Sequence, residues 1–554
     1  MNEVEVIEVL DVETKTRDNF VNVTLQTLNI DKQVLIFNSS KSSSEATAEK
    51  VAKSIKKVED KEKLLSLSNQ ILKALSNPTK QCRRLAMCVE KGVAFHHSGL
   101  ISKQRELIEK AFREGLIRVI SSTPTLAAGL NLPAYKVIIK DYKRYSQRGY
   151  NDIPVLEFHQ MAGRAGRPGL EDEGRAVVCV KSIDEVQRVV PKYIFGDSEK
   201  IYSKLAVEPT LKMYLLSLIS MDLVNTKSEI RDFFSHTLYG HQFDDMDALE
   251  YNIFRILDIL KDYGFVNQED DYYLATRLGK KVSELYLNPD TANFLLEHLD
   301  KTFKLFNSKH YSKEDIFVLL QMIMMASEMK PMFRVRKAEE EFYLKKAEEI
   351  EEKLLIEYDP FSMDLGEFIN TLKTSEVLVD WISEAPEDYI SERHSITPGE
   401  LSYKKDKVDW ILYCLSELTS LKKQVFFKNV LKKLRLRFKH GIKEDLLVFI
   451  DLKGVGRVRA RKLVNAGFKS LNDLINCDFE SLSKVLGESL AIKIKQEVTK
   501  DSQINSISDF KYDEKPKEIK VREVSDEEVD ILVENDILFE KEKKESQMKL
   551  TNFF

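Results

Sequence analysis

"FHQMAGRAGRPG", residues Phe158–Gly169, sets two arginines three positions apart, Arg164 and Arg167, among three glycines. A guanidinium stays charged at any physiological pH and presents a planar fork of donors that matches phosphate or carboxylate. Glycine leaves backbone amides bare for the same purpose. A solvated loop satisfies the same residues, so the neighbouring segments decide. Upstream lie "SSTPTLAAGLNLPA" (Ser121–Ala134) and "VAFHHSGL" (Val93–Leu100), both rich in hydroxyls and small residues. Each stands beside a short apolar run: "QVLIF" (Gln33–Phe37), "RVISS" (Arg118–Ser122), "KVIIK" (Lys136–Lys140) or "RAVVCV" (Arg175–Val180). Helical segments such as Ser43–Lys57 and Ser102–Glu114 separate these runs. Strands alternating with helices predict a parallel α/β sheet. Open sheets of this kind bind ligands beyond the carboxyl ends of their strands, where these segments fall.

From about residue 190 to 500 the pattern changes to long amphipathic helices. Within it "YGFVNQEDDYYLATRLGKKVSELY" reads as a short strand pair after a helix, the hairpin of a winged helix. At 554 residues the chain exceeds one core, and 20 Gly and 13 Pro are few enough to favour helices. The 85 Lys+Arg and 90 Asp+Glu nearly balance, yet they are unevenly spread. Leu421–Lys443 holds nine Lys/Arg and no acid, whereas Asp501–Phe554 has 15 acids and nine bases. A basic segment of this kind suits a polyanion, and the polar tail is expected to be disordered. The five cysteines are scattered without a CxxC pair, which supports neither a zinc site nor a disulfide framework. Neither a signal peptide nor an apolar run of about 18 residues is found, so a cytoplasmic protein with no membrane partner is expected.

Taken together, "QVLIFNSS", "FHHSGL", "TPTLAAGLNLPA" and "QMAGRAGRPG" resemble, in order, the fourth to sixth motifs of the second motor domain of superfamily 2 helicases, in their Ski-type branch. The resemblance implies ATP as cofactor, with Mg2+. Arg167 corresponds to the arginine that stabilises charge on the transferred phosphoryl, Arg164 to a phosphate or inter-domain partner, and Gln160 to a coupling residue. It also implies Gly129 and Asn131 near the nucleotide, and Ser39, Ser40, His97, Ser98 and Thr123 on a DNA strand. The sequence departs from the pattern in one respect. It contains no GxxxxGK[ST] loop and no acidic magnesium motif at a strand end; "LGKK" at Gly279–Lys280 lacks the preceding glycine and the hydroxyl. The expectation is a chain that starts after the first motor domain, by truncation or from a split gene. Alone it would not hydrolyse ATP, needing as partner a polypeptide or segment that carries the phosphate-binding loop.

"VIIKDYKRYSQRGYNDIPVLE" (Val137–Glu157) reads as a β-hairpin. In the resembled family a hairpin here parts the duplex, with Tyr142, Tyr145 and Tyr150 as candidates to stack on the last base pair. "FFSHTLYGHQ" and "LATRLGKKVSELYLNP" are similar to the family's winged helix. "MASEMKPMFRVRKAEEE" and "ITPGELSYKKDKVDWILYCLSEL" are similar to its helical ratchet. The chain is thereby identified as a member of the archaeal DNA repair helicases of the Holliday-junction-migration type, related to the helicase part of polymerase theta. The family grips single-stranded DNA with an arginine and a tryptophan on one long helix. Trp410 takes the tryptophan position, and Tyr403 stands seven residues earlier in place of the arginine; Lys404, Lys405 and Lys407 are candidates to compensate. Core packing of "WILY" is the competing reading for Trp410.

"LKGVGRVRARKLVNAGF" (Leu452–Phe468) combines a Gly-Val-Gly turn with a basic helix, the pattern of a helix-hairpin-helix that would hold DNA phosphates through Gly454, Gly456, Arg457 and Arg459. The final "QMKLTNFF" fits the sliding-clamp peptide Qxx[ILM]xxF[FY], with Gln547, Leu550, Phe553 and Phe554 as its contacts. The expected organisation is a RecA-like motor domain at 1–190, a winged helix at 191–290, a helical ratchet at 291–440, a helix-hairpin-helix at 441–500 and a clamp-binding tail at 501–554. The implied function is the C-terminal half of an ATP-dependent 3′–5′ DNA helicase acting on forked or stalled replication and recombination intermediates. The competing readings are a non-hydrolysing DNA adaptor on the clamp, and an RNA helicase of the same branch.

Overall fold

The structure is a computed structural model and describes residues 11–75, 77–129, 131–146, 149–166, 173–242, 246–306, 311–356, 364–422 and 424–500. It divides into two compact units: Met1–Ile201 with Pro386–Tyr403, and Tyr202–Ala385 with Lys404–Phe554. The segment Pro386–Tyr403, read from the sequence as part of the ratchet, therefore packs with the motor residues.

The first unit is built on a parallel sheet of five strands in the order β2-β3-β1-β4-β7. These are β1 (Val34–Phe37), β2 (Val93–His96), β3 (Val119–Ser122), β4 (Lys136–Ile139) and β7 (Arg175–Val178). Every residue of the first four is buried, as expected of parallel strands covered by helices on both faces. The register runs Val34 to Val119 on one side of β1 and to Lys136 on the other. At the amino end of the sheet the buried Gln33 amide donates to the Phe112 and Ile117 carbonyls, both at 2.7 Å, which satisfies groups the helix end would leave bare. β2 is absent from the four sequence-predicted runs because "VAFH" has one β-branched residue and ends on a histidine. Between β4 and β7 rises the hairpin of β5 (Lys143–Ser146) and β6 (Gly149–Asp152), paired antiparallel with Tyr145 opposite Tyr150. Its base is tied down by Arg144–Glu157 at 2.8 Å and Lys192–Asp152 at 3.2 Å.

In the second unit, helices Glu208–Ser220, Lys227–Ser235 and Met246–Asp262 precede the antiparallel pair β8 (Val266–Glu269) and β9 (Tyr272–Ala275), then helix Arg277–Glu284. Three helices and a two-stranded wing form the winged helix expected from the sequence. Thr226 and Glu229 close a capping box at the start of the second helix. Helices Lys313–Met324, Lys337–Ile350, Leu365–Ile382 and Val425–His440 follow, together with the part of helix Pro398–Leu421 that starts at Lys404. Apolar packing carries these helices, but three buried cations fix their register. Lys404, 1% exposed, donates to the Met329 and Pro331 carbonyls. Lys373 reaches the Arg334 carbonyl at 3.0 Å and Glu339 at 2.6 Å. Arg435 grips Asp409 with Nε at 2.9 Å and Nη2 at 3.1 Å, its plane 4.9 Å from the Tyr413 ring.

The last module packs Leu446, Phe449, Val455, Leu463, Leu474, Leu482, Ala491 and Ile494 among short helices from Glu444 to Lys500. Arg461 joins it to the preceding helices: Nη2 lies 2.6 Å from Glu384 and Nη1 2.8 Å from Asp445. Burial opposes ionisation of Glu384. Hydrogen bonds from Arg461 and from the Lys443 amide, with the Arg461 charge, nonetheless hold its carboxyl below the usual glutamate value.

Arg435→Met is expected to destabilise the second unit by roughly 3–5 kcal/mol, because the Asp409 carboxyl is left without the two hydrogen bonds of its partner. Arg435→Met with Asp409→Leu should recover most of that loss in chemical denaturation. Glu384→Gln tests the junction to the last module. A depressed folded pKa contributes stability that is present above 4.5 and fades as the pH falls through the folded value. The variant should therefore lose roughly 1–2 kcal/mol at pH 7, and its deficit against the parent should shrink as thermal unfolding is followed from about pH 5 to pH 3.

Candidate functional site

The carboxyl edge of the parallel sheet gathers the segments singled out in the sequence. Asn38, at the end of β1, takes the Ser122 carbonyl through its amide at 2.8 Å, donates to Ser121 Oγ at 2.9 Å, and accepts from Thr47 at 2.8 Å. Ser39 presents its amide and hydroxyl to Asp141 at 3.1 and 3.2 Å, and Ser40 caps helix Lys41–Ser54 by accepting the Ser43 amide. Thr123 Oγ1 lies 2.9 Å from Thr125 Oγ1. Ser98 is half-buried. His97 is not a surface donor. Its ring is fully buried and stacked on Phe95, with Nε2 at 3.1 Å from Glu45 and Nδ1 accepting the Gly99 amide at 3.1 Å. Its role is to shape the loop, which corrects its expected place on a DNA strand. Glu45 also holds Arg84 and Gln81. Neither it nor Asp141 was singled out in the sequence, although Asp141 could have been found as the first acid after a strand end.

The fifth and sixth motifs are laced together by backbone. Ala134 and Ala165 form a parallel bridge, in which the Ala134 amide donates to Arg164 O at 2.9 Å and the Gly166 amide to Ala134 O at 2.7 Å. Gly166 adopts φ +89°, and a β-carbon there would meet Gly174 Cα at 3.3 Å, so this glycine permits both the turn and the close approach. Arg164 turns its guanidinium onto the carbonyl of Ala127, with Nε at 3.1 Å. In this arrangement it is a strut between the motifs rather than a donor facing outward. Gln160 is exposed on helix Val155–Ala162, and Gly129 and Asn131 are exposed nearby in the chain. Arg167 lies outside the described residues. The donors suit a phosphate anion; among the described residues no group of three His, Cys, Asp or Glu is placed to hold a metal ion.

On the hairpin, Tyr150 is 69% exposed, whereas Tyr142 is 5% exposed and its hydroxyl accepts from Arg188 at 3.1 Å. Tyr142 is therefore core, not a stacking surface. Tyr145 sits on β5, and its side chain lies outside the described residues. Tyr403 and Trp410 are half-buried on helix Pro398–Leu421, and the Trp410 indole donates to the Leu285 carbonyl at 3.3 Å. The lysines expected to compensate for Tyr403 are engaged elsewhere: Lys404 on carbonyls inside the bundle, Lys405 3.8 Å from the Trp381 ring, and Lys407 5.3 Å from that of Trp410.

In the Gly-Val-Gly turn, Gly454 has φ +84° and Gly456 precedes helix Arg457–Asn465 as an extended cap. Arg459 donates to the Gly454 carbonyl at 2.7 Å and is exposed to solvent along that turn. Arg457, expected on phosphate, instead donates to the Ala385 carbonyl at 2.8 Å and lies over Trp381 at 5.3 Å. The basic run 421–443 is likewise partly turned inward, with Arg435 on Asp409 and the buried Arg437 donating Nε to the Ile442 carbonyl at 3.2 Å, while Lys433 pairs with Glu444 at the surface. Gln547, Leu550, Phe553 and Phe554 lie outside the described residues. Among the described residues no helix is long and apolar enough to cross a membrane.

Four family profiles match the chain in succession: a helicase conserved C-terminal domain over residues 18–169, a helix-turn-helix domain over 174–267, an archaeal helicase domain 4 over 317–441, and a SAM-like helix-hairpin-helix tandem over 446–500. The ATP-dependent DNA helicase Hel308 of Methanococcus vannielii is 34% identical over 525 residues, covering 88% of this chain and 68% of that protein. The Hel308 proteins of Caldivirga maquilingensis and Pyrococcus abyssi are 34% and 35% identical, covering 88% and 85% of this chain and 66% and 64% of their own lengths. The chain thus spans about two thirds of the length of the relatives it matches. With its parallel sheet, winged helix, long helices and helix-hairpin-helix module in that order, the chain belongs to the Hel308 family of ATP-dependent DNA helicases.

Proposed function

We propose that this chain supplies the second motor domain and the DNA-tracking half of an ATP-driven 3′–5′ DNA helicase that works on forked or stalled replication and recombination intermediates. The observation that carries the reading is the lacing of the Arg164 segment to the sheet edge, through the Ala134–Ala165 bridge and the Ala127 carbonyl. A loop fixed in this way can present arginines to a phosphate held by another domain. ATP with Mg2+ would be held mainly by a polypeptide or segment carrying a phosphate-binding loop and its acidic partner. ATP supplies the phosphoryl group whose transfer drives movement. This chain's part is electrostatic. Arg167 would stabilise the developing charge, Arg164 would exchange the Ala127 carbonyl for a phosphate oxygen, and Gln160 would link nucleotide state to the motor fold. Without the partner the chain would not hydrolyse ATP. Single-stranded DNA would run past Ser39, Ser40, Ser98 and Thr123, with Trp410 and Tyr403 as stacking groups and the Gly454–Gly456 turn with Arg459 on phosphate.

The test joins the chain with a polypeptide bearing the phosphate-binding loop and measures DNA-stimulated ATP hydrolysis. Arg164→Ala with Arg167→Ala should lower the rate by ~10³ or more while single-strand affinity stays the same. Equal hydrolysis by the double variant would favour the non-hydrolysing adaptor. Stimulation by structured RNA in preference to forked DNA would instead place the substrate in the other nucleic-acid class.

We also propose that the terminal "QMKLTNFF" docks on a sliding clamp, with Leu550, Phe553 and Phe554 in an apolar pocket and Gln547 as the polar contact. Deleting Gln547–Phe554 should abolish co-elution with the clamp and leave DNA affinity unchanged; clamp binding that survives the deletion refutes the assignment.

A further inference from the structure

The segment Pro386–Tyr403 packs as part of the first unit, although the chain on either side of it belongs to the second. It consists of helix Glu387–His394, a turn, and the first residues of the continuous helix Pro398–Leu421. Its attachment centres on two glycines. The Gly399 amide donates to the Gly99 carbonyl at 2.9 Å. A β-carbon on Gly399 would be driven into the Ser98 carbonyl and would lie 2.6 Å from the Gly99 carbonyl carbon. A β-carbon on Gly99 would lie 2.9 Å from the His97 ring and 3.1 Å from Thr397 Oγ1. Carbon atoms in contact normally stand about 3.5–4 Å apart, so a side chain at Gly399 would have to displace the backbone of Ser98 and Gly99, and one at Gly99 would have to displace the His97 ring and the Thr397 hydroxyl.

Each half of this joint is held from behind. On the loop side, His97 is locked between Phe95 and Glu45, and its Nδ1 accepts the Gly99 amide. On the helix side, Thr397 and Glu400 cap one another: the Glu400 carboxylate accepts the Thr397 amide and hydroxyl, both at 2.8 Å. The same carboxylate receives Lys41 at 2.7 Å from the helix that follows β1, and Lys80 reaches Glu392 at 3.1 Å. Burial opposes ionisation of Glu400, yet the Lys41 charge keeps its carboxyl below the ordinary value. A loop that ends a strand thus meets the start of a 24-residue helix through a backbone hydrogen bond, braced by the Lys41–Glu400 pair.

We propose that the Gly99–Gly399 contact is a coupling joint, in which Gly99 and Gly399 act as positioning residues that make the first turn of the long helix follow the sheet-edge loop His97–Gly99. Nucleic acid bound along that edge would then be felt directly by the helix that carries Tyr403 and Trp410. The nucleic-acid part rests on the function proposed above; the mechanical part does not.

Hydrogen exchange followed by mass spectrometry on the full chain separates the two. Without ligand, Gly99→Ala should speed exchange of the amides from Gly399 to Tyr403 by about tenfold, with the peptides of β1, β3 and β4 unaltered as a check on folding. An unchanged helix start overturns the joint. Lys41→Met, which inserts no atom into the contact, should speed the same amides by a smaller factor. With a deoxythymidine oligomer of about 20 nucleotides as probe, the parent chain should slow exchange in both the loop and the helix start. Gly399→Ala should keep the protection of the loop and lose that of the helix start. Equal protection of both in Gly399→Ala refutes the coupling. A loop left unprotected in the parent chain refutes the nucleic-acid reading of the edge while the ligand-free result for Gly99→Ala still stands.

Discussion

A cation taken out of water must find oxygen atoms, and this requirement decides which basic residues of the chain remain available to phosphate. Lys404 and Lys373 are almost wholly buried and spend their donors on backbone carbonyls, Lys373 also on Glu339. Arg435 and Arg461 are paired with carboxylates in forked geometry. Arg457 and Arg164 each close on a single carbonyl, at Ala385 and Ala127. All of these but Lys373 sit in segments that read as basic in sequence, yet all six act as struts. The helical bundle gains register from them, since a bidentate pair tolerates little sliding where an apolar seam would permit it. What is left for a polyanion is smaller and more localised than the charge count suggests. Among the described residues it includes the hydroxyls and amides at the sheet edge and the Gly-Val-Gly turn with Arg459.

The fold was largely legible for the same physical reasons that make it stable. Parallel strands must be buried on both faces, so "VLIF" and "KVII" announce themselves as unbroken apolar runs. The strand "VAFH" does not, because alanine and histidine carry no strand preference and only the register with Val119–Ser122 makes it one. Hairpins at Tyr145–Tyr150 and in the wing were visible from turn residues between alternating runs. The site was less legible. Sequence spacing puts His97 in the loop after a strand and Arg457 at a helix start, but it cannot show which way a side chain turns. His97 turns inward because Glu45, more than fifty residues away in sequence, waits there with Arg84 and Gln81. Trp381, which orients both Lys405 and Arg457, drew no notice because a lone tryptophan on an apolar helix reads as core.

Glycine placement separates two uses that look alike in the sequence. Gly166 needs its positive φ and its close packing on Gly174 to let the chain leave the Ala134–Ala165 bridge. Gly99 and Gly399 are not among the positive-φ glycines, and what they supply is the absence of a β-carbon: Gly399 against the backbone of Ser98 and Gly99, Gly99 against the His97 ring and the Thr397 hydroxyl. Glycine costs roughly 0.5–1 kcal/mol relative to alanine in a helix interior. At Gly399, the second residue of a 24-residue helix, it is the contact with Ser98 and Gly99 that tolerates nothing larger.

The parked state of Arg164 bears on how a half-site can be kept ready. A hydrogen bond from a charged group to a carbonyl contributes roughly 1.5–3 kcal/mol to a folded protein. Exchanging that carbonyl for a phosphate oxygen replaces one partner by a better one, so release costs less than the bond's full worth. The strut holds the fifth and sixth motifs together, and in the function proposed above an incoming phosphate oxygen would draw it off. A lysine at this position would keep the charge but lose the fork that lets one group brace a carbonyl in one state and clamp a phosphate in another. Under the function proposed above, arginine at this position would follow from the two jobs taken together, and from neither alone.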